Sequence, residues 1–176
     1  MLLEKLIKSK VREIPDWPKK GINFKDISPL IEDAKTFRLV IDELAKPYLN
    51  RKIDKVVGID ARGFIFASAL AFKLKAGVVM VRKKGKLPSE RISVRYALEY
   101  GSNTIEMHKD SIKPGERVLM VDDLLATGGT MKAGVELVEK LKGKIAGIEF
   151  VIELSFLKGR EKLKGYKVRS LAKYRR

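Results

Sequence analysis

The spacing of hydrophobic positions changes near residue 55. Before it, apolar side chains over Leu2–Val11 follow a helical period, and Pro15-Asp-Trp-Pro18 ends that helix because proline disfavours helix in the preceding residue. A non-regular segment is predicted to about Pro29. A second helix is predicted from near Asp33 to Leu44, with Pro47 close to its end.

From Lys55 onward, short apolar runs alternate with helical periods. The runs predict strands at Lys55–Ile59, Gly77–Val81, Arg117–Val121 and Ile145–Leu154, and the longer periods predict helices at Phe64–Leu74 and Met131–Leu141. Repeated β-α-β order predicts an α/β fold, with a central parallel sheet flanked by helices.

One segment interrupts this alternation. Ile92–Tyr100 and Thr104–Lys109 each alternate apolar and polar residues, which predicts an antiparallel hairpin turned at Gly101-Ser-Asn103. A hairpin that leaves a parallel sheet can cover a site, so residues 86–110 are expected to form a flexible lid.

Length and composition limit the other possibilities. The 176 residues, 45% of them hydrophobic, suit one domain over 1–176 without repeats or linkers. No apolar run approaches a membrane span and charged residues interrupt the N-terminus, so we expect a soluble, cytoplasmic protein. Zero cysteines exclude disulfides and thiolate chemistry, and a single histidine, His108, excludes histidine-cluster metal sites.

The formal charge of +16 favours anionic partners, either nucleic acid or small polyanions. The basic residues are not interleaved with aromatic ones, as a surface for single-stranded nucleic acid would require. Small anionic substrates are therefore favoured over nucleic acid.

The most informative stretch is Val118-Leu-Met-Val-Asp-Asp-Leu-Leu-Ala-Thr-Gly-Gly-Thr130. The strand is expected to stop at Asp122, and Ala126–Thr130 lies where strand becomes helix. Free N–H groups, the helix dipole and the Thr127 and Thr130 hydroxyls there favour a phosphate monoester. Neither the Gly-Lys-Ser/Thr of nucleoside-triphosphate loops nor a dinucleotide glycine spacing is present here.

Two carboxylates before a phosphate loop suit a ligand that carries hydroxyls beside its phosphate, such as ribose 5-phosphate. The alternative is a plain strand-to-helix turn in which Asp122 or Thr127 caps the helix. The stretch resembles the phosphoribosyl pyrophosphate signature of type I phosphoribosyltransferases. The resemblance implies that Asp122 and Asp123 face the ribose hydroxyls. It also implies a loop that holds the 5′-phosphate, made of Ala126, Thr127, Gly128, Gly129 and Thr130.

A second polar turn follows the strand at Lys55–Ile59, where ligands bind in open α/β sheets. Arg62 can offer a forked guanidinium to phosphate oxygens, although Asp60 could simply pair with it. In the resembling family this turn, Asp60, Ala61 and Arg62, is the pyrophosphate loop.

The strand at Gly77–Val81 leads into a basic loop, Arg82-Lys-Lys-Gly-Lys86, whose simplest interpretation is a solvated charge run. The resemblance assigns Arg82, Lys83 and Lys86 to pyrophosphate and implies a homodimer in which this loop reaches the neighbour. It also implies Mg²⁺ held mainly by substrate oxygens, with a water bridge to Asp122 or Asp123 and no firm protein ligand.

Two further segments are similar to adenine phosphoribosyltransferases within that family. Tyr96-Ala-Leu-Glu-Tyr-Gly101 resembles their catalytic loop, where the glutamate matching Glu99 handles a purine proton and the tyrosine matching Tyr100 closes over the reacting centre. Residues 1–30 resemble their base-binding hood, in which Asn23, Phe24 and Lys25 match residues at the adenine.

The resemblance therefore implies transfer of ribose 5-phosphate from phosphoribosyl pyrophosphate to adenine, giving AMP and pyrophosphate, as in purine salvage. Transfer to a 6-oxopurine is one alternative. A nucleic-acid-binding regulator that senses the same donor is the other.

Overall fold

The structure is a computed structural model that describes residues 2–97 and 101–175. Five helices are α1 Leu2–Ser9, α2 Ser28–Glu32, α3 Ala34–Ala45, α4 Gly63–Leu74 and α5 Gly129–Lys140. The strands are β1 Arg12–Ile14, β2 Phe24–Asp26, β3 Lys55–Ile59, β4 Gly77–Lys83, β5 Arg91–Ala97, β6 Ser102–His108, β7 Arg117–Leu125, β8 Lys144–Leu154 and β9 Val168–Tyr174. Short 3-10 turns lie at Lys46–Tyr48, Ser155–Leu157 and Gly159–Leu163.

A seven-stranded sheet in the order β5-β6-β4-β3-β7-β8-β9 forms the centre of the fold. The strands from β4 to β9 in that order pair in parallel, whereas β6 pairs antiparallel with both β4 and β5. The predicted α/β class and hairpin are thus confirmed. The hairpin extends the sheet and packs against α5.

Helices cover both faces of the sheet, which gives two hydrophobic cores. Helices α1 to α4 bury one core, with Phe66 and Leu70 of α4 fully enclosed against the sheet. The β5–β6 hairpin and α5 bury the other core, where Met131, Val135 and Val138 recur at the helical period. Among the described residues, no helix combines the length and apolar character needed to cross a membrane.

The path of the chain creates a crevice between β3 and β7. After β3 the chain passes through α4 on one face to β4, and after β7 it passes through α5 on the other face to β8. The two connections diverge, so the carboxyl ends of β3 and β7 border an open groove. In α/β sheets, ligands bind at such a switch point.

Several sequence-based boundaries were wrong. Strand β7 does not stop at Asp122 but continues to Leu125, because the long β8 offers pairing partners that include Asp122↔Phe150 and Leu125↔Glu153. Ser102 and Asn103, which were predicted in the hairpin turn, belong to strand β6, since they pair with Ala97 and Tyr96.

The N-terminal and C-terminal segments also differ from expectation. Helix α1 ends at Ser9, and the segment expected to be non-regular contains the β1–β2 ladder and helix α2. The edge strand β9 was not predicted, because three of its seven residues are polar and its buried apolar residues, Ala172 and Tyr174, form no continuous apolar run.

A buried polar cluster ties β8 to the connection after α3. The Tyr48 hydroxyl donates to Glu149 at 2.8 Å, and Arg169 Nε donates to both Glu149 oxygens at 3.0 and 3.2 Å. Burial raises the pKa of Glu149 to about 7, against the lowering effect of Arg169. Since the folded pKa lies above the unfolded one, the associated stability is present at acid pH and lost as pH rises toward 7.

We therefore expect Glu149→Gln to flatten the pH dependence of stability. Between pH 5 and pH 8 the wild-type Tm should fall at least about 2 °C more than the variant's Tm. Thermal unfolding at the two pH values measures this, and Glu161→Gln, at an exposed glutamate, is the control. An equal fall in both proteins would contradict the assignment.

Candidate functional site

The loop between β7 and α5 is shaped by close backbone packing. Gly128 has φ +77°, a left-handed conformation that favours glycine, and a Cβ there would overlap the carbonyl oxygen of Gly159. A Cβ on Gly159 would in turn overlap Ala126 and lie 2.8 Å from the Gly128 nitrogen. Helix α5 begins at Gly129, so its first N–H groups open on this loop.

Side chains from the hairpin and from the turn at Gly159–Leu163 close one side of the loop. The Thr130 hydroxyl donates to the Tyr96 hydroxyl at 3.2 Å, and Thr127 is half-buried nearby in the chain. The Lys162 ammonium lies 3.9 Å from the position that a Gly129 Cβ would occupy. The loop thus combines backbone donors, two hydroxyls and a nearby cation, all suited to a phosphate group.

The two aspartates immediately precede this loop on β7. Asp122 Oδ1 accepts a hydrogen bond from the Asp123 N–H at 2.9 Å and would lie 2.7 Å from a Cβ on Gly63. Desolvation raises the pKa of Asp122 well above its usual value, and the Asp123 charge adds to this. Desolvation also raises the pKa of Asp123, although Arg62 acts against it. These carboxylates lack sufficient cationic partners within the protein.

The turn after β3 brings Arg62 to the carboxylates. Its guanidinium lies 2.8 Å from Asp123 Oδ2 and donates to the Lys25 carbonyl at 3.3 Å. The Asp60–Ala61 peptide bond is cis, and Ala61 is exposed. Arg62 therefore joins the turn after β3, the carboxylates of β7 and the N-terminal segment.

The basic loop after β4 lies against the same turn. Arg82 Nε and Lys86 Nζ lie 3.5 and 3.6 Å from Asp60 Oδ2, and Arg82 also donates to the Lys86 carbonyl at 3.1 Å. Lys83, at the end of β4, is exposed. The buried Asp60 carboxylate thus gathers two cations beside the crevice.

The N-terminal ladder places an aromatic ring over Arg62. The Arg62 guanidinium carbon lies 5.1 Å from the Phe24 ring centroid, and Trp17 packs edge-on against Phe24 at 4.4 Å. The Asn23 side chain donates to Glu13 at 2.7 Å. The Lys25 side chain is buried, with its ammonium 2.8 Å from Glu13 and its carbonyl toward Arg62.

The structure therefore brings together most of the residues predicted from sequence. Glu99 and Tyr100 lie outside the described residues. Sequence reasoning did not assign Tyr96, Gly159 or Lys162 to the site, although Tyr96 falls within the segment that resembles a catalytic loop. Their contacts with the phosphate loop depend on tertiary packing and leave no signal in local spacing.

The crevice offers part of a donor set for a metal ion. Within residues 2–97 and 101–175 no group of three or more His, Cys, Asp or Glu side chains converges. Magnesium commonly uses one or two carboxylates, with substrate phosphates and water completing its shell. The under-compensated Asp122 and Asp123 fit such a partial set.

The chain is similar in sequence to proteins of one family. Residues 30–171 match the family model described as the phosphoribosyl transferase domain. The adenine phosphoribosyltransferase of Trichlorobacter lovleyi is 56% identical over 168 residues, covering 96% of this chain and 98% of the relative.

Solved structures of adenine phosphoribosyltransferases are also similar to this chain. The adenine phosphoribosyltransferase of Thermoanaerobacter pseudethanolicus superposes with a TM-score of 0.93 at 53% identity, covering 97% of this chain and 99% of that one. The Saccharomyces cerevisiae enzyme, solved with an imino-altritol bisphosphate and adenine, has a TM-score of 0.90 at 40% identity, with coverages of 97% and 98%. The chain belongs to the phosphoribosyltransferase family, among the adenine phosphoribosyltransferases.

Proposed function

We propose that this protein transfers ribose 5-phosphate from phosphoribosyl pyrophosphate to N9 of adenine, giving AMP and pyrophosphate in purine salvage. The observation that carries the proposal is the position of Arg62. This one side chain contacts Asp123 and the Lys25 carbonyl and lies beneath the Phe24 ring. The groups for ribose, pyrophosphate and base therefore border one crevice.

The phosphate loop fixes one end of the donor. The N–H groups of residues 126–130 and the hydroxyls of Thr127 and Thr130 bind the 5′-phosphate, helped by the positive end of α5. Asp122 and Asp123 then lie beside the ribose. Binding energy from the phosphate holds the reacting C1′ in position, which is how remote contacts lower a barrier.

The cations around Asp60 bind the leaving group. Arg62, Arg82 and Lys86, with Lys83 in support, exchange their carboxylate partners for diphosphate oxygens when the donor enters, since phosphate accepts forked hydrogen bonds well. Asp60 and Ala61 shape the turn. Asp122 and Asp123 would help to hold Mg²⁺ beside the substrate oxygens, and the ion would neutralise diphosphate charge there.

Adenine is bound by the N-terminal hood. The base stacks on the Phe24 ring, and main-chain groups at Asn23 read its edge, with the Lys25 carbonyl holding Arg62 beside it. Adenine offers a donor at its 6-amino group and an acceptor at N1, whereas 6-oxopurines present the opposite pair and would leave buried groups unpaired.

As the C1′–O bond breaks, positive charge develops on the ribose. Asp122 and Asp123 stabilise that charge, and Arg62, Arg82 and Lys86 stabilise the departing diphosphate. Glu99 accepts or returns a purine proton, and Tyr100 closes over the centre as part of the flexible hairpin lid. Exclusion of water by the lid prevents capture of the sugar.

The direct test compares four bases with the same donor. We expect adenine to exceed hypoxanthine, guanine and xanthine in kcat/KM by at least on the order of 10⁴, the discrimination reached when a site hydrogen-bonds its substrate specifically. Steady-state assays of AMP and pyrophosphate formation measure this. Comparable rates with a 6-oxopurine would contradict the adenine assignment.

Replacing both carboxylates tests the ribose site. Asp122→Asn with Asp123→Asn should lower turnover at least about 100-fold, because preorganised charge stabilisation is lost. The Tm at pH 7 should not fall, since raised pKa values mean that ionisation of this pair opposes folding above about pH 4.

The control for that experiment is Asp42→Asn with Asp110→Asn, at two exposed aspartates, which should leave turnover unchanged. A folded double variant at Asp122 and Asp123 with near-wild-type turnover would remove these residues from the mechanism.

The protein also forms a homodimer in this proposal. Ile65 and Phe72 on α4 and Val78 and Met80 on β4 are exposed apolar side chains on neighbouring elements, and Phe72 is 90% exposed. Such a patch on a globular protein favours association. It would bring two copies together near the basic loop that follows β4. A cytoplasmic location is proposed as well.

The homodimer is tested by Phe72→Asp, which should shift the protein toward monomer by placing a charge in the apolar contact. Sedimentation equilibrium measures the shift. Phe156→Asp, at a half-exposed phenylalanine outside this patch, should not change the assembly. A monomeric wild type, or the same shift in both variants, would rule out this face.

A further inference from the structure

A second cleft lies away from the crevice, near the amino ends of β8 and β9. It has a volume of about 610 Å³, and basic, aromatic and apolar side chains line it, among them Arg51, Lys164, Lys167 and Tyr166. This volume falls within the range of small-molecule sites, roughly 300–1,000 Å³. The phosphate loop lies at the opposite, carboxyl end of the parallel strands.

The cationic side chains of the cleft fall into two groups. Arg160 and Arg169 are neutralised, because Arg160 lies 2.6 Å from Glu153 and Arg169 lies 3.0 Å from Glu149. Arg51, Lys164 and Lys167 are exposed, and within the described part of the chain they form no side-chain ion pair or hydrogen bond. Three uncompensated positive charges therefore border one cavity.

The single carboxylate in the lining does not oppose an anion. Glu149 is 1% exposed, and its oxygens already accept from Tyr48 and Arg169. It lies beneath the cleft surface, so the potential at the cleft mouth is set by the unpaired cations.

The rest of the lining is apolar or aromatic. Leu163 and Tyr48 are buried beneath the cleft, whereas Pro47 is exposed and Tyr166 and Val168 are half-buried at its surface. Aromatic rings beside apolar side chains suit a flat heterocycle, and cations at the rim suit phosphates.

We propose that this cleft binds a nucleoside polyphosphate, with its base against Tyr166, Pro47 and Val168 and its phosphates on Arg51, Lys164 and Lys167. Each phosphate contact is a charge-assisted hydrogen bond at a site open to solvent, so binding weakens as ionic strength rises. The site is separate from the proposed catalytic crevice and does not depend on the proposed activity.

The test uses isothermal titration calorimetry with GTP, on full-length protein saturated with AMP to occupy the crevice. We expect one GTP site per chain, and Arg51→Ala with Lys164→Ala and Lys167→Ala should weaken it at least about tenfold, the loss expected from even one charged hydrogen bond. A matched control, Arg38→Ala with Lys35→Ala and Lys113→Ala, removes the same charge from exposed positions elsewhere and should retain the site.

Tripolyphosphate tests whether the base contributes to binding. It should bind more weakly than GTP because it has no base to contact the apolar and aromatic lining. Equal affinity would overturn the nucleotide assignment. The proposed site would be ruled out if the wild type gave no heat of binding with GTP. It would also be ruled out if the two triple variants bound GTP with equally weakened affinity. The variant in which Arg51, Lys164 and Lys167 are replaced should keep wild-type turnover with adenine. Failure of this binding site and failure of the proposed function are therefore distinguishable.

Discussion

The close packing of α4 against β3 and β7 is the constraint on which the site depends. A Cβ on Gly58 would lie 2.6 Å from the Ala67 Cβ, and a Cβ on Gly63 would lie 2.7 Å from Asp122 Oδ1. Only because both positions lack a Cβ can the helix begin directly against the two strands. This approach fixes the distance between the turn that carries Arg62 and the carboxylates of β7. The shape of the crevice therefore results from backbone contact between α4 and the two strands. The charged side chains line the crevice but do not determine its shape.

The charged groups of the crevice lower the stability of the folded state. Asp122 and Asp123 have pKa values raised by desolvation, and Arg62 compensates them only in part. Asp60 holds Arg82 and Lys86 at 3.5 and 3.6 Å, distances longer than those of direct hydrogen bonds. Loose pairs of this kind are exchanged more readily for ligand oxygens than well-formed ones. The ligand-free protein is thus less stable than an uncharged crevice would allow, a common relation between stability and activity.

Sequence patterns predicted the parts of the fold that are governed by local composition. Strand β3 was predicted at Lys55–Ile59 as observed, because a short, fully buried run is distinctive. Strand β9 was missed because three of its seven residues are polar, so it contains no apolar run that would indicate its pairing with β8. The β1–β2 ladder was missed because three-residue strands carry little periodicity. At the site, the Asp122–Thr130 stretch was recognisable because its chemistry is contiguous. The contact of Tyr96 with Thr130 was not, since it joins residues 34 positions apart.

The packing of Gly159 on the phosphate loop has a consequence for sequence variation. The turn at Gly159–Leu163 connects two strands and exposes Glu161 and Lys162 to solvent, and connections of this kind usually tolerate insertions. Here its backbone packs directly against Ala126 and Gly128. A change of one residue in the length of this turn would therefore displace the phosphate loop without altering any residue of that loop. Within this family, we therefore expect the length of the segment between β8 and β9 to vary less than the identity of its residues.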